Sequence, residues 1–177
     1  MSDFPVSVCA RLLCSGAVLC CGAVLWAGAL TGATVVSGCA GSVIPNTDVP
    51  DTAENRQVVD FVEEYRHAVE ERSPPAILRL VSERYYDDNG TPSTDDDMDY
   101  DALRDHFNRW SEDVIDVRYE MRYRRVTLAT DRIFVDFTYT GSFKVRDVEG
   151  ERWSRRVADN RIEIVREDDE FRIISGL

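Results

Sequence analysis

Val117-Arg118-Tyr119-Glu120-Met121-Arg122-Tyr123-Arg124 alternates apolar with charged residues, a period of two that sends one set of side chains to a buried sheet face and the other to water. The same period continues downstream. After a turn at Thr130-Asp131, Ile133, Val135, Phe137 and Tyr139 alternate with Phe134, Asp136, Thr138 and Thr140. A second turn near Glu149-Gly150 leads to a strand from about Trp153 to Arg166, with Ile162 and Ile164 on one side and Arg161 and Glu163 on the other. Glu167-Asp168-Asp169-Glu170 then turns into Phe171-Arg172-Ile173-Ile174-Ser175. Successive strands joined by short turns predict an antiparallel meander.

Upstream of Val117 the period is helical. Asp51-Thr52-Ala53-Glu54 has the form of a capping box with Asp51 as the cap, and Val58, Phe61, Val62, Tyr65, Ala68 and Val69 follow at helical spacing. Ser73 is placed to cap a second helix with Pro74 at its first position and a stripe of Ile77, Leu80, Val81 and Tyr85. A third helix from about Asp99 carries Tyr100, Leu103, Phe107, Trp110 and Val114 on one face. Helices first and a meander after them predict an α+β domain with three helices covering one face of an antiparallel sheet.

This order, closing with Asp159-Asn160-Arg161-Ile162-Glu163-Ile164 and Glu170-Phe171-Arg172-Ile173-Ile174, resembles the NTF2-like (SnoaL-like, ketosteroid-isomerase-like) superfamily. The resemblance implies a strongly curved sheet wrapped round the helices into a cone over residues 51–177, often with a pocket inside. Superfamily members include isomerases, dehydratases, cyclases, transport factors and binding domains without activity, so the fold does not choose among them. Candidate pocket residues are Tyr65, Trp110, Tyr119, Phe137, Tyr139, Phe143 and Trp153, with ordinary core as the other reading. Isomerases of this kind set a carboxylate base in an apolar pocket beside a tyrosine donor, and here Asp136 stands between Val135 and Phe137. Alternation puts it on the face opposite Phe137 and Tyr139, where pairing with a strand arginine is the other reading. His106, next to Phe107, is the second candidate base if it faces the cone interior. No residue matches a catalytic motif of the superfamily position by position.

Composition narrows the partners. Among 177 residues, 33 are acidic and 21 are Lys or Arg, a formal charge of −12, which excludes an electrostatic nucleic-acid binder. Hydrophobic residues at 44% supply one core. Asp95, Asp97 and Asp99, in an acidic loop between the second and third helices, are candidate Ca²⁺ ligands, but Tyr100 stands where an EF-hand needs glycine and His106 where it needs glutamate. Arg118, Arg122, Arg124, Arg125, Arg152, Arg155 and Arg156 are expected to form a stripe on the outer sheet face, paired with strand carboxylates. No cofactor is expected.

All five cysteines, Cys9, Cys14, Cys20, Cys21 and Cys39, precede the domain. From Leu12 to Thr47 no side chain is charged, and the apolar run ends in Val36-Ser37-Gly38-Cys39, which resembles the lipobox of bacterial lipoprotein precursors. That resemblance implies a signal peptide over 1–38, cleavage before Cys39, lipidation of Cys39 with acyl chains such as palmitate, and a flexible tether over 39–50. Ala40 after the cysteine favours an outer-membrane destination in a double-membrane cell. The run is also long enough to stay as an uncleaved single span, and both readings put the domain outside the cytoplasm. The expectation is a lipid-anchored, acidic, extracytoplasmic binding or accessory module of the bacterial envelope. Alternatives are a pocket enzyme of isomerase or dehydratase type acting on a small hydrophobic metabolite, and a structural protomer forming a homodimer through its sheet.

Overall fold

The computed structural model describes residues 41–148 and 150–177; the expected signal segment and Cys39 lie outside them. In chain order the elements are α1 (Ala53–Glu70), α2 (Pro74–Arg79), β1 (Tyr86–Asp87), β2 (Met98–Asp99), α3 (Tyr100–Asp113), β3 (Val114–Leu128), β4 (Ile133–Asp147), β5 (Gly150–Glu167) and β6 (Glu170–Ser175). The long strands form one antiparallel sheet in the order β3-β4-β5-β6, and β1 and β2 make a separate small ribbon. Register shifts at Val114/Asp116 and Tyr123/Arg125 bend β3, as an extra residue in one strand of a pair does.

The helices form where their caps and stripes direct. Thr52, one residue later than the sequence pattern suggests, caps α1 by accepting from Asn55 N at 3.1 Å, while Asp51 turns to Arg56. Ser73 caps α2 and Asp99 caps α3. Val58, Val62 and Ile77 are buried against Val135, Ile162, Ile164 and Ile173 of the sheet, each such side chain contributing about 1.5–3 kcal/mol by leaving water. Two residues assigned to helical stripes fall elsewhere. Tyr85 is buried after α2 has ended at Arg79, and Val114 opens β3.

The free edge of β3 is covered by the polar side of α1. Glu70 Oε1 accepts from Tyr119 N at 3.1 Å, Arg66 Nη1 donates to the Tyr119 carbonyl at 3.3 Å, and Arg72 Nη1 donates to the Val114 carbonyl at 2.5 Å. The chain before α1 completes this cover. Val43 bridges Pro50, Asp48 N donates to the Tyr123 carbonyl at 3.0 Å, and Val49 is fully buried. Residues 43–50 are therefore part of the domain rather than of a flexible tether. Their Pro-Asn-Thr composition, which reads as a linker, instead makes a turn with Asn46 at φ 63° that folds Ile44 and Val49 onto the core.

Candidate functional site

Side chains on the concave face of β5 follow from its register with β4. Ile164, Ile162, Asn160, Ala158, Arg156 and Ser154 share the face of Ile133, Val135, Phe137, Tyr139, Gly141 and Phe143. Toward Ile164 this face is filled by the core. Toward Arg156 it opens, and residues 150–157 are exposed on both faces. A cavity of about 190 Å³ lies between, walled by Tyr65 and Val69 of α1, by His106, Phe107 and Trp110 of α3, and by Tyr119, Tyr139 and Phe143 of the sheet.

Glycine shapes the sheet wall. A Cβ on Gly141 would meet Phe143 Cε2 at 2.5 Å, so the missing side chain is what lets the Phe143 ring lie across the strand beside Tyr119. The rings then interlock. Tyr119 and Tyr139 have centroids 5.3 Å apart, Tyr119 and Phe143 6.4 Å, and Phe143 meets Trp110 edge-on at 6.5 Å, arrangements that suit aromatic quadrupoles. The floor is pinned by the last residues. Gly176 N donates to Asp87 Oδ2 at 2.7 Å, Leu177 N donates to the Tyr85 hydroxyl at 3.1 Å, and Asn160 Nδ2 donates to the Gly176 carbonyl at 3.1 Å. At φ +96° and with the Arg161 carbonyl oxygen 1.9 Å from its would-be Cβ, position 176 admits only glycine.

The polar groups facing this space are donors. Tyr65 is 6% exposed and Tyr119 7%. Burial pushes both phenols up in pKa, with Tyr85 and Tyr139 adding to the shift of Tyr65, and Tyr65 and Tyr139 to that of Tyr119. Among the described residues neither hydroxyl has a protein hydrogen-bond partner, whereas the Tyr123 hydroxyl donates to Glu63 at 2.7 Å. His106 stands at the exposed rim, its ring 5.6 Å from that of Phe107. Partial desolvation, and then the charge of Arg109, lower its pKa, so the neutral imidazole prevails near pH 7. No carboxylate side chain is among the residues lining the cavity.

Of the seven residues expected at a pocket, Tyr65, Trp110, Tyr119, Tyr139 and Phe143 meet there. Phe137 is buried behind Tyr139, ring centroids 6.4 Å apart, as core. Trp153 is 47% exposed on the outer face beneath Arg118, whose guanidinium carbon lies 5.0 Å from the ring, because its register partner Lys144 belongs to the outward phase. Of the two candidate bases, His106 reaches the cavity and Asp136 does not. Asp136 faces outward, hydrogen-bonded to Arg161 at 2.6 Å and Arg125 at 2.9 Å, which hold its carboxyl below the usual range. The acidic loop disperses its carboxylates. Asp99 caps α3 and Asp97 accepts from the Tyr86 hydroxyl, and no cluster of metal-ligating side chains occurs among the described residues.

The expected outer arginine stripe divides. Arg118, Arg122, Arg124, Arg125 and Arg155 lie in the outward phase, but Arg152 and Arg156 lie in the inward one. A larger hollow of about 830 Å³ sits on the outer face over Arg124, Arg125, Asp136 and Arg161. It is a shallow open trough whose arginines are already matched, Arg124 by Asp48, and Arg125 and Arg161 by Asp136. The smaller aromatic cavity with unengaged donors is the stronger site. Val69, Phe107 and Leu177 complete its apolar lining; Val69 and Phe107 read in the sequence as ordinary stripe residues of their helices.

Fold and cavity together define an NTF2-like cone. A protein from Novosphingobium aromaticivorans assigned as an aromatic ring hydroxylase superposes with TM-score 0.59 at 18% identity, over 71% of this chain and 88% of that one. A ketosteroid isomerase-like protein from Erwinia carotovora atroseptica gives 0.56 at 15%, over 71% and 95%. A protein from Xanthomonas campestris assigned as a calcium/calmodulin dependent protein kinase II association domain gives 0.56 at 18%, over 76% and 94%. These likenesses establish the architecture, which serves enzymes and association domains alike. No protein-family model and no curated protein sequence matches the chain.

Proposed function

We propose that this protein is an exported, lipid-anchored binding module whose cone takes up a small ligand at the bacterial envelope, without catalysing a reaction. The observation that carries the binding reading is the aromatic cavity, with the hydroxyls of the largely buried Tyr65 and Tyr119 without a protein partner among the described residues and no acidic side chain in its lining. Apolar walls with a few convergent donors are what a small-molecule site requires, and proton abstraction by a buried carboxylate has no residue to perform it there. The anchoring reading rests on the uncharged run ending in Val36-Ser37-Gly38-Cys39. Ser42 already accepts from Asp51 N at 2.7 Å, so an acylated Cys39 would hold the domain within about 11 Å of the bilayer, at ~3.6 Å per residue step.

Mass spectrometry of the membrane-extracted protein tests the anchor. The expected product begins at Cys39 with acyl mass added, and Cys39→Ser releases the domain from the membrane; an unmodified Met1 terminus or an equally attached variant refutes it. One observation favours a second reading, an acid–base enzyme: His106 lies at the rim, neutral and close to tyrosine donors. Exchange of the α-protons of phenylpyruvate into D₂O, followed by NMR, separates the two. Exchange no faster than in buffer supports the binding module, and accelerated exchange abolished by His106→Gln establishes the enzyme.

A further inference from the structure

We propose that the open half of β5 is an interface for a second copy of this chain, pairing edge to edge with the same segment across a two-fold axis at Val157 and joining the two sheets into one. The two edges of the sheet differ. That of β3 is sealed by α1 and the chain before it, through Glu70, Arg66, Arg72 and the Asp48 amide. β5, by contrast, pairs with β4 from Gly150 to Ile164 but with β6 only from Glu163 to Glu167. Gly176 lies against the Arg161 carbonyl, and before that point residues 150–160 have no backbone partner on this side among the described residues. The run holds no proline and no bulge, two of the devices that keep a free edge from pairing. Its charges, a third such device, match one another in a single register.

Facing residues of antiparallel strands share a face of the sheet, so a two-fold axis at one residue sets the positions equally far before and after it opposite each other. With the axis at Val157, Arg155 faces Asp159 twice, Arg156 faces Ala158, Ser154 faces Asn160 and Val157 faces itself. Axes at Ser154, Arg155, Arg156 or Ala158 each set arginine against arginine, and like charges directly opposite destabilise a strand pair. The side chains that would meet are accessible. Arg155, Val157 and Asp159 share the outward phase, and Val157 is 58% exposed. Neither Arg155 nor Asp159 has an ion pair among the described residues, Asp159 accepting from the Thr138 hydroxyl at 2.6 Å, whereas the next outward residue, Arg161, is held by Asp136. In such strand addition the main-chain hydrogen bonds supply affinity and the facing side chains fix the register.

Cysteine cross-linking of the full chain in detergent tests this. Facing residues lie about 4.5–5.5 Å apart, within reach of a disulfide. Oxidised Val157→Cys should yield the tryptic peptide 157–161 linked to its own copy. A mixture of Arg156→Cys and Ala158→Cys chains should link to each other through the inner phase, which docking of two sheets by their outer faces would leave apart. Ser154→Cys, whose two copies lie about 20 Å apart along the strands, should give at least about tenfold less self-linked product. Arg155→Asp should cut the Val157→Cys yield at least about fivefold by setting Asp against Asp, and adding Asp159→Arg should restore it. Absence of the Val157 product, equal linking at Ser154, no link between the inner-phase pair, or a yield indifferent to charge reversal overturns the interface. An unchanged melting temperature of each variant shows that a lost product is not a lost fold. None of these outcomes bears on the cavity.

Discussion

The two halves of β5 belong to one strand and behave as different surfaces. From Ile162 to Glu167 the strand passes from β4 to β6, paired with both at Glu163 and Ile164, and Ile162 and Ile164 are fully buried. From Gly150 to Val157 every residue is exposed, and β6 no longer runs alongside. The polarity of the two phases also inverts. In the closed half the inward residues are isoleucines; in the open half they are Arg152, Ser154 and Arg156, while Trp153 and Val157 face out. A period of two is a property of strand geometry. Which phase is apolar reports what covers the sheet, so the inversion marks where the core ends and the cavity mouth begins.

Substitution should expose the contrast most strongly at Ile164. Ile164→Ala in the closed half is expected to cost about 2–5 kcal/mol, read as a lowered urea midpoint, whereas Val157→Ala in the open half should stay within about 0.5 kcal/mol. Equal losses would mean that the open half is covered after all. Glycines give the next largest difference. Gly176→Ala drives a Cβ into the Arg161 carbonyl at positive φ and should cost about 1–3 kcal/mol. Gly150 also has positive φ, at +121°, but nothing within 4 Å of its Cβ position, so Gly150→Ala carries conformational strain alone and should lower the melting temperature less.

At the boundary between the halves, Gly141→Val should displace the Phe143 ring and lower the urea midpoint by the equivalent of about 1 kcal/mol. An unchanged midpoint would mean that the ring has room to move aside. The smallest effect is on pH dependence. Hydrogen bonds from Arg84 and Ser82 hold the Glu167 carboxyl below its ordinary value. Its contribution is therefore fully present above the unfolded carboxyl pKa of about 4.3 and is lost as pH falls through the lower folded value. His106 also has a lowered pKa, so its contribution is present above about pH 6.5 and lost as pH falls. Urea titrations between pH 7 and 5 should show a small loss of stability that His106→Gln removes; a gain on acidification would reverse the assigned sign.

The sequence carries the fold wherever an apolar phase meets a cover. Val58, Phe61, Val62 and Tyr65 announce α1, and Val117, Tyr119 and Tyr123 announce β3. It conceals the fold where a turn resembles a linker, as at Pro45-Asn46-Thr47, because Val49 shows its burial only once β3 is beside it. Five cavity residues were legible as aromatics, Tyr65 and Trp110 on helical stripes and Tyr119, Tyr139 and Phe143 in the inward strand phase. Trp153 was misplaced because apolar character outweighed phase, and Arg156 because charge did; the register with β4 decides both. The separation of Asp136 from the cavity was already implied by alternation with Phe137.

A crystal structure of the protein grown with phenol, a small aromatic probe, tests the central claim most directly. The account predicts the ring between Tyr119, Tyr139 and Phe143, its hydroxyl toward those of the tyrosines. Phenol seated only in the outer trough over Arg124, Arg125 and Arg161, or a Phe143 ring closing the cavity, would contradict it.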